Sequence, residues 1–292
     1  MEIIQQLVNG ISLGSIYALI ALGYTMVYGI VKLINFAHGD VFMVGSFVGF
    51  YSITFLHLSF FPTLILSMVA CALFGVLIER IAYKPLRNAT RIAALITAIG
   101  VSLLIENGMI FFRGAQLEAY PNDILPTNKI DVLGVTVESK SLLILCVSVA
   151  LMIILQFVVH KTKIGKAMRA VSHDAEAAKL MGINVDNTIS ATFAIGSSLA
   201  GAAGVIFGTY YYKIEPLMGV IPGLKAFVAA VLGGIGIIPG AMVGGLLLGV
   251  IESLVSAAGG SLWRDGVAFI ILILILIFMP QGIFGKNKRE KV

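Results

Sequence analysis

The sequence predicts an all-α, polytopic membrane protein of about nine transmembrane helices, within a range of eight to ten. Three observations carry that expectation. Of 292 residues, 59% are hydrophobic and only 12% are charged, about half the charged share of a typical soluble domain. Apolar runs of about 20 residues, enough to cross about 30 Å of hydrocarbon, recur along the whole chain. The 32 glycines suit helices in lipid, where close approach of small residues takes over from the hydrophobic effect as the source of packing. Such a chain has too little polar surface for a soluble enzyme or a nucleic-acid-binding domain, and too much apolar content for a disordered one. Residues 1–292 are expected to form one transmembrane domain.

The N-terminal Met1-Glu2-Ile3-Ile4-Gln5-Gln6 lacks the positive start of a secretory signal, so the first apolar run, 8–30, is expected to stay as a helix. Further spans follow at 41–57, 62–81, 93–111, 142–159 and 188–209, each bounded by polar or turn-forming breaks. The long apolar stretch 222–254 is interrupted by Gly233-Gly234-Ile235-Gly236 and by Pro239-Gly240. At about 1.5 Å per residue it accommodates two short helices meeting at that break. A last span covers 266–280. The total is nine spans if the broken stretch crosses twice, and eight otherwise. Cys71 and Cys146 lie inside apolar runs and read as small buried hydrophobes rather than disulfide partners.

Orientation follows from the distribution of positive charge. Fourteen of the 20 lysines and arginines fall in alternate breaks: Lys32; Arg80, Lys84, Arg87 and Arg91; Lys161, Lys163, Lys166, Arg169 and Lys179; and Lys286, Lys288, Arg289 and Lys291. The opposite breaks hold Arg113, Lys129, Lys140, Lys213 and Arg264, with Lys225 at a helix entrance. The loop 112–141 also carries Glu118, Asp123, Asp131 and Glu138, which suits an outside face. With the C-terminus inside, nine spans put the N-terminus outside and preserve this alternation. Gly75-Val76-Leu77-Ile78-Glu79 in the third span resembles Gly249-Val250-Ile251-Glu252 in the eighth. Under nine spans these helices run in opposite directions, as an inverted repeat requires.

Catalytic signatures are missing. No G-x-x-x-x-G-K-[ST] phosphate loop occurs, since Gly165-Lys166 continues into Ala167 and Gly285-Lys286 into Asn287. There is no H-E-x-x-H, C-x-x-C or G-x-S-x-G, and His38, His57, His160 and His173 are scattered at span ends rather than convergent. No enzyme activity, resident cofactor or metal is expected in this chain.

The segment 161–184, between the fifth and sixth spans, reads as two short helices. Ile164, Met168 and Val171 form an apolar stripe on an otherwise basic helix. Ser172 or Asp174 is placed to cap a second helix, Glu176 suits its first turn, and Gly182 suits a left-handed stop. Small alanines with both signs of charge fit docking against another protein; an amphipathic loop lying on anionic lipid is the competing reading.

This segment resembles the cytoplasmic coupling motif of bacterial ATP-binding-cassette (ABC) importer permeases of the branched-chain amino acid, ribose and urea group. Gly165, Ala167, Arg169, Ala170, Asp174, Ala177, Gly182 and Ile183 occupy the motif positions, and with Glu176 they form the candidate ATPase-coupling site that the resemblance implies. The resemblance extends over nearly the whole chain. It includes Asn9-Gly10-Ile11-Ser12-Leu13-Gly14-Ser15-Ile16-Tyr17-Ala18-Leu19, Gly23-Tyr24-Thr25-Met26-Val27-Tyr28-Gly29, Ile34-Asn35-Phe36-Ala37-His38-Gly39-Asp40 and Val231-Leu232-Gly233-Gly234-Ile235-Gly236. Together these are similar to high-affinity branched-chain amino acid permeases of the LivH type. The resemblance implies a pathway formed with a second permease subunit and two cytoplasmic ATPase subunits, which carry the ATP and Mg, docked on the coupling helices. It also implies an external binding protein that delivers leucine, isoleucine or valine, and a home in the bacterial inner membrane. Urea and amide permeases share much of the opening pattern and form the alternative substrate class. A self-contained ion-coupled amino acid carrier is the alternative mechanism.

Polar residues inside apolar runs mark candidate pathway positions, because a charge at bilayer depth costs about 3 kcal/mol or more. Glu106, Asn107 and Glu252 are such residues, each open to a pathway role or to a helix-packing contact. Asn35, His38 and Asp40 are read first as a capped turn, with Asn35 also a candidate at a cytoplasmic gate. Gly233, Gly234 and Gly236 are candidates because broken backbone at membrane depth is tolerated only inside protein or along a cavity.

Overall fold

The computed structural model describes residues 2–285 apart from 34, 88, 122, 123, 126, 127, 133 and 134. Asp123, Lys286, Lys288, Arg289 and Lys291, used in the charge argument, lie outside the described residues. Helix α1 (Glu2–Val31) runs through the middle of the bundle, with Ile16 and every residue from Ala18 to Leu22 fully buried. It is apolar on all sides, as a helix surrounded by other helices must be. Helices α2 (His38–Thr54), α3 (Phe60–Ile78) and α4 (Arg91–Arg113) follow. Between α3 and α4 the chain widens into a π turn, Glu79–Tyr83, and then tightens into a 3-10 turn, Lys84–Leu86, containing Pro85. Thr90 starts α4 by accepting a hydrogen bond from the Ala93 amide.

Strands interrupt the α4–α5 connector. β1 (Glu118–Ala119) pairs antiparallel with β4 (Lys213–Ile214), and β2 (Lys129–Val132) pairs with β3 (Val135–Glu138) as a hairpin. The sequence reading treated 112–141 only as an acidic loop. The local signal was the β-branched alternation of Val135-Thr136-Val137, which is short and easily overlooked beside the spans. Helix α5 (Ser139–Lys161) leads to the short α6 (Lys163–His173) and α7 (Ala175–Leu180). Then come α8 (Val185–Tyr211), α9 (Val220–Gly233), α10 (Ile238–Ala257) and α11 (Arg264–Phe278).

Among the described residues, seven helices are long and apolar enough to cross a bilayer, and α9 is a shorter apolar helix. With the 17-residue α2, the count reaches the nine expected. The stretch 222–254 does divide in two, at the glycine-rich break. Cys71 is buried as expected, whereas Cys146 is exposed on the outward face of α5. An apolar run does not reveal which of its faces meets the bundle.

The packing is repeated. α1 lies against α10 as α8 lies against α3; α2 lies against α8 as α9 lies against α1; and α2 packs on α3 as α9 packs on α10. Helices α1–α4 therefore correspond to α8–α11. Corresponding helices lie five spans apart along the chain, an odd number, so the halves run in opposite directions across the membrane. The correspondence reaches residues: Gly245 faces Ala18 where Cys71 faces Gly201, and Glu252 meets α1 where Glu79 meets α8. On the relating axis, Gly39 at the start of α2 packs backbone to backbone against Gly219 and Gly223 at the start of α9. At about 25 Å and 21 Å, α2 and α9 are too short to span the bilayer alone. In the irregular chain leading into them Asn35, Ala37, Ile214 and Met218 are buried, whereas Lys213, Glu215 and Leu217 are exposed.

Candidate functional site

Local chemistry builds the α6–α7 segment. Thr162 ends α5 by donating to the Val158 carbonyl at 2.6 Å, and starts α6 by accepting from the Gly165 amide at 3.1 Å. Gly165 lies directly on the carbonyls of Val158 and Val159, where no side chain fits, and Arg169 donates to the Val159 carbonyl. The elbow between α5 and α6 is therefore pinned at both ends of one helical turn. Gly165, Met168 and Val171 face inward, whereas Ile164, expected on that stripe, is half exposed. The tight turn at Thr162 aims the smallest residue at the carbonyls and rotates Ile164 outward.

Asp174, rather than Ser172, caps α7 by accepting from the Glu176 and Ala177 amides at 2.9 and 3.0 Å. Gly182 takes a left-handed φ of 83°, and the Ile183 amide returns to the Ala178 carbonyl. Asn184 then caps α8 through the Asn187 amide at 3.0 Å. Ala175, Glu176 and Ala177 are exposed, and Leu180 and Met181 are 88% and 83% exposed. The result is a small apolar tip framed by charge. Ala167, Ala170 and Ile183 are partly buried behind it.

A cleft of about 1000 Å³ separates this segment from the bundle, lined by Glu176, Lys179 and Asp186 on one side and by Lys32, Lys84 and Arg87 on the other. A second cavity of about 90 Å³ brings Arg169 next to Thr25, Gly29 and Gly236. The glycine-rich break thus lies beside α6 at this end of the bundle, not in the middle of a span. Gly234 and Gly236 have φ of 104° and 93°. Gly233 and Gly240 are in backbone contact, and Gly236 approaches Gly29. The Ile283 and Phe284 amides satisfy the open carbonyls of Leu232 and Gly233 at the end of α9.

The other polar candidates are dispersed. Asn35 is buried and accepts from Tyr83 Oη at 2.8 Å; neither it nor Asp40 caps α2, whose N-cap is Ala37 without a side-chain bond. Asp40 instead accepts from Ser102. Asn107 is exposed and donates to the Leu103 carbonyl of its own helix at 2.7 Å. Glu252 is fully buried between Lys225 (2.9 Å), Tyr17 (3.1 Å) and Arg264 (3.4 Å), and Lys225 also reaches Asp265 at 2.6 Å. None of the described cavities is lined by Glu252 or Glu106.

Sequence reasoning missed one cluster at the segment's base. Glu79 is fully buried and bonded to Ser190 at 2.6 Å and to Arg87; Arg87 also binds Asp186, which holds Lys84 at 2.8 Å. In the sequence alone, Arg87 and Lys84 read only as orientation charges. The signal available was Glu79 closing the repeated Gly-to-Glu run.

The family described as branched-chain amino acid transport system, permease component, matches residues 6–276. The chain belongs to this family. The high-affinity branched-chain amino acid transport system permease protein BraD of Pseudomonas aeruginosa is 45% identical over 99% of this chain and 98% of its own length. LivH of Salmonella typhimurium is 43% identical over 99% and 97%. A probable branched-chain amino acid transport permease of Methanocaldococcus jannaschii is 30% identical over 94% and 90%. No solved structure matches the chain significantly. For a transport permease of this family, the exposed α6–α7 tip is the feature that calls for a partner.

Proposed function

We propose that this chain is the membrane-spanning permease subunit of an ABC importer for branched-chain amino acids. The α6–α7 tip carries the reading: an apolar, charge-framed surface, rigidly capped at Asp174 and Gly182, held clear of an otherwise lipid-clad bundle. In this reading a cytoplasmic ATPase subunit docks there. ATP and Mg bind to the two ATPases, and this chain supplies the bistable element that hydrolysis biases. The coupling end then faces the cytoplasm and the N-terminus faces outside, where a binding protein delivers leucine, isoleucine or valine. The long relatives named for branched-chain amino acid transport support the substrate class.

The second permease subunit packs on α4 and α11. These equivalent helices of the two halves bury the least apolar surface of the seven long spans. On α4, a Cβ added at Gly100 or Gly108 would meet nothing within 4 Å, and Asn107 lies exposed in an apolar helix. Small residues with one polar side chain are what a helix partner in lipid uses.

The decisive experiment is radiolabelled leucine uptake into liposomes carrying the full complex, with and without enclosed ATP, omitting each component in turn. ATP-dependent uptake that needs the ATPases and the binding protein is expected. Uptake by this chain alone under a proton or sodium gradient refutes the importer reading, and competition by urea moves the substrate to the amide class.

A further inference from the structure

We infer that Asp186, Arg87 and Glu79 form an ion-pair relay that carries movement of the coupling segment into the α3–α8 helix pair, with Arg87 as its positioning residue. The inference rests on the importer reading above.

Asp186 is the second residue of α8 and follows directly on the Gly182–Asn184 turn, so a displacement of α7 reaches it through a few rigidly bonded residues. Arg87 sits in the α3–α4 connector and uses its two terminal nitrogens separately, one on Asp186 and one on Glu79. A planar fork does this well, because each end holds its carboxylate in a fixed direction. Glu79 opens the π turn that ends α3, and its other oxygen accepts from Ser190, one turn further along α8. π turns are rare and occur frequently at functional sites.

The two halves of the molecule differ at this point, and the difference gives Arg87 its role. Glu252, the counterpart of Glu79, has Lys225 beside it as well as Arg264, so it keeps a counter-charge if Arg264 moves. Among the described residues, Glu79 has one cation, Arg87. Arg87 cannot follow Asp186 outward and leave Glu79 behind, because that would strand a fully buried carboxylate. It must bring the end of α3 with it. The cleft of about 1000 Å³ beside Arg87 and Asp186 gives the coupling segment room for such a movement.

The test uses the whole complex in vesicles, reading ATP hydrolysed and leucine imported in the same preparation. Asp186→Asn, Arg87→Gln, the double variant and Arg87→Lys are compared with the unmodified chain. Asp186→Asn is expected to raise the ATP consumed per leucine about fivefold, with basal hydrolysis and subunit co-purification unchanged, and the double variant to be no worse than Arg87→Gln, which already breaks the Arg87–Asp186 bridge. Arg87→Lys restores a charge for Glu79 but cannot span both carboxylates. It is expected to recover the yield of folded complex without recovering the coupling ratio, an outcome that a purely structural ion pair does not give. Should Arg87→Gln fail to assemble, Asp186→Asn and Arg87→Lys still decide. An unchanged ratio in those two variants, or additive losses in the double variant, overturns the relay while leaving the importer reading intact. A wild-type complex with no ATP-dependent uptake overturns both.

Discussion

Glu252 and Lys225 illustrate the constraint that an apolar bundle places on a charge. Both are buried, and each is held by more than one partner. Removing one side of such a pair leaves an uncompensated charge, at a cost of about 3–5 kcal/mol. Glu252→Ala is therefore expected to lower the melting temperature of the purified complex markedly, and Glu252→Gln less, because it still accepts from Tyr17. Equal loss in both variants would show that the charge, and not the hydrogen bond from Tyr17, supplies the stabilisation. Glycine positions give a sharper contrast. A Cβ at Gly14 would lie 2.7 Å from Leu246 Cα, whereas one at Gly100 meets nothing within 4 Å. Gly14→Leu is expected to lose folded protein through overpacking worth about 1–3 kcal/mol or more. Gly100→Leu should melt like the parent in detergent. Capping by Asp174 and the stop at Gly182 were legible in the sequence because both are decided within four residues. The Lys225–Glu252 and Arg87–Asp186 pairs were not, since their partners are far apart in the chain and meet only once the topology is known.

Among whole elements, α4 and the α9–α10 connector differ in how they use their backbone. α4 turns nearly all of its apolar surface away from its own chain, so its outer face belongs to whatever covers it. Gly100→Leu and Asn107→Leu together are expected to reduce co-purification of the second permease subunit severalfold, about what losing one interhelical polar contact and one close approach implies. Undiminished recovery of the pair would place the interface elsewhere. The α9–α10 connector has the opposite character. Gly234 and Gly236 adopt backbone conformations that side chains resist, and Gly236 abuts Gly29 next to Arg169 of α6. Gly236→Leu is expected to abolish leucine uptake while the complex still assembles; retained uptake would remove this connector from the transport cycle. The break between α9 and α10 was visible as a run of glycines. Its place beside α6 was not, because that contact joins residues far apart in the chain.

The inverted pairing of α1–α4 with α8–α11 governs the molecule as a whole. The two halves share packing partners and a buried glutamate at corresponding ends, yet only four or five residues of sequence betray it. Packing in lipid asks for size classes rather than identities, so Cys71 serves where Gly245 does and Gly201 where Ala18 does. Two halves with nearly mirrored packing have no intrinsic up or down; the α6–α7 segment and the basic connectors around it break the tie. That assignment can be checked chemically. With Cys71 and Cys146 replaced by alanine, a single cysteine at Glu176 and another at Lys213 report opposite ends of the bundle, since both positions are exposed. In intact cells stripped of their outer wall, a membrane-impermeant maleimide is expected to label the Lys213 variant and spare the Glu176 variant. Lysis should then make Glu176 reactive, and less so when the ATPase subunits are present, because docking covers α7. If Glu176 instead reacts from outside, the ATPases have nothing to dock on, and the coupling segment must serve the binding protein instead.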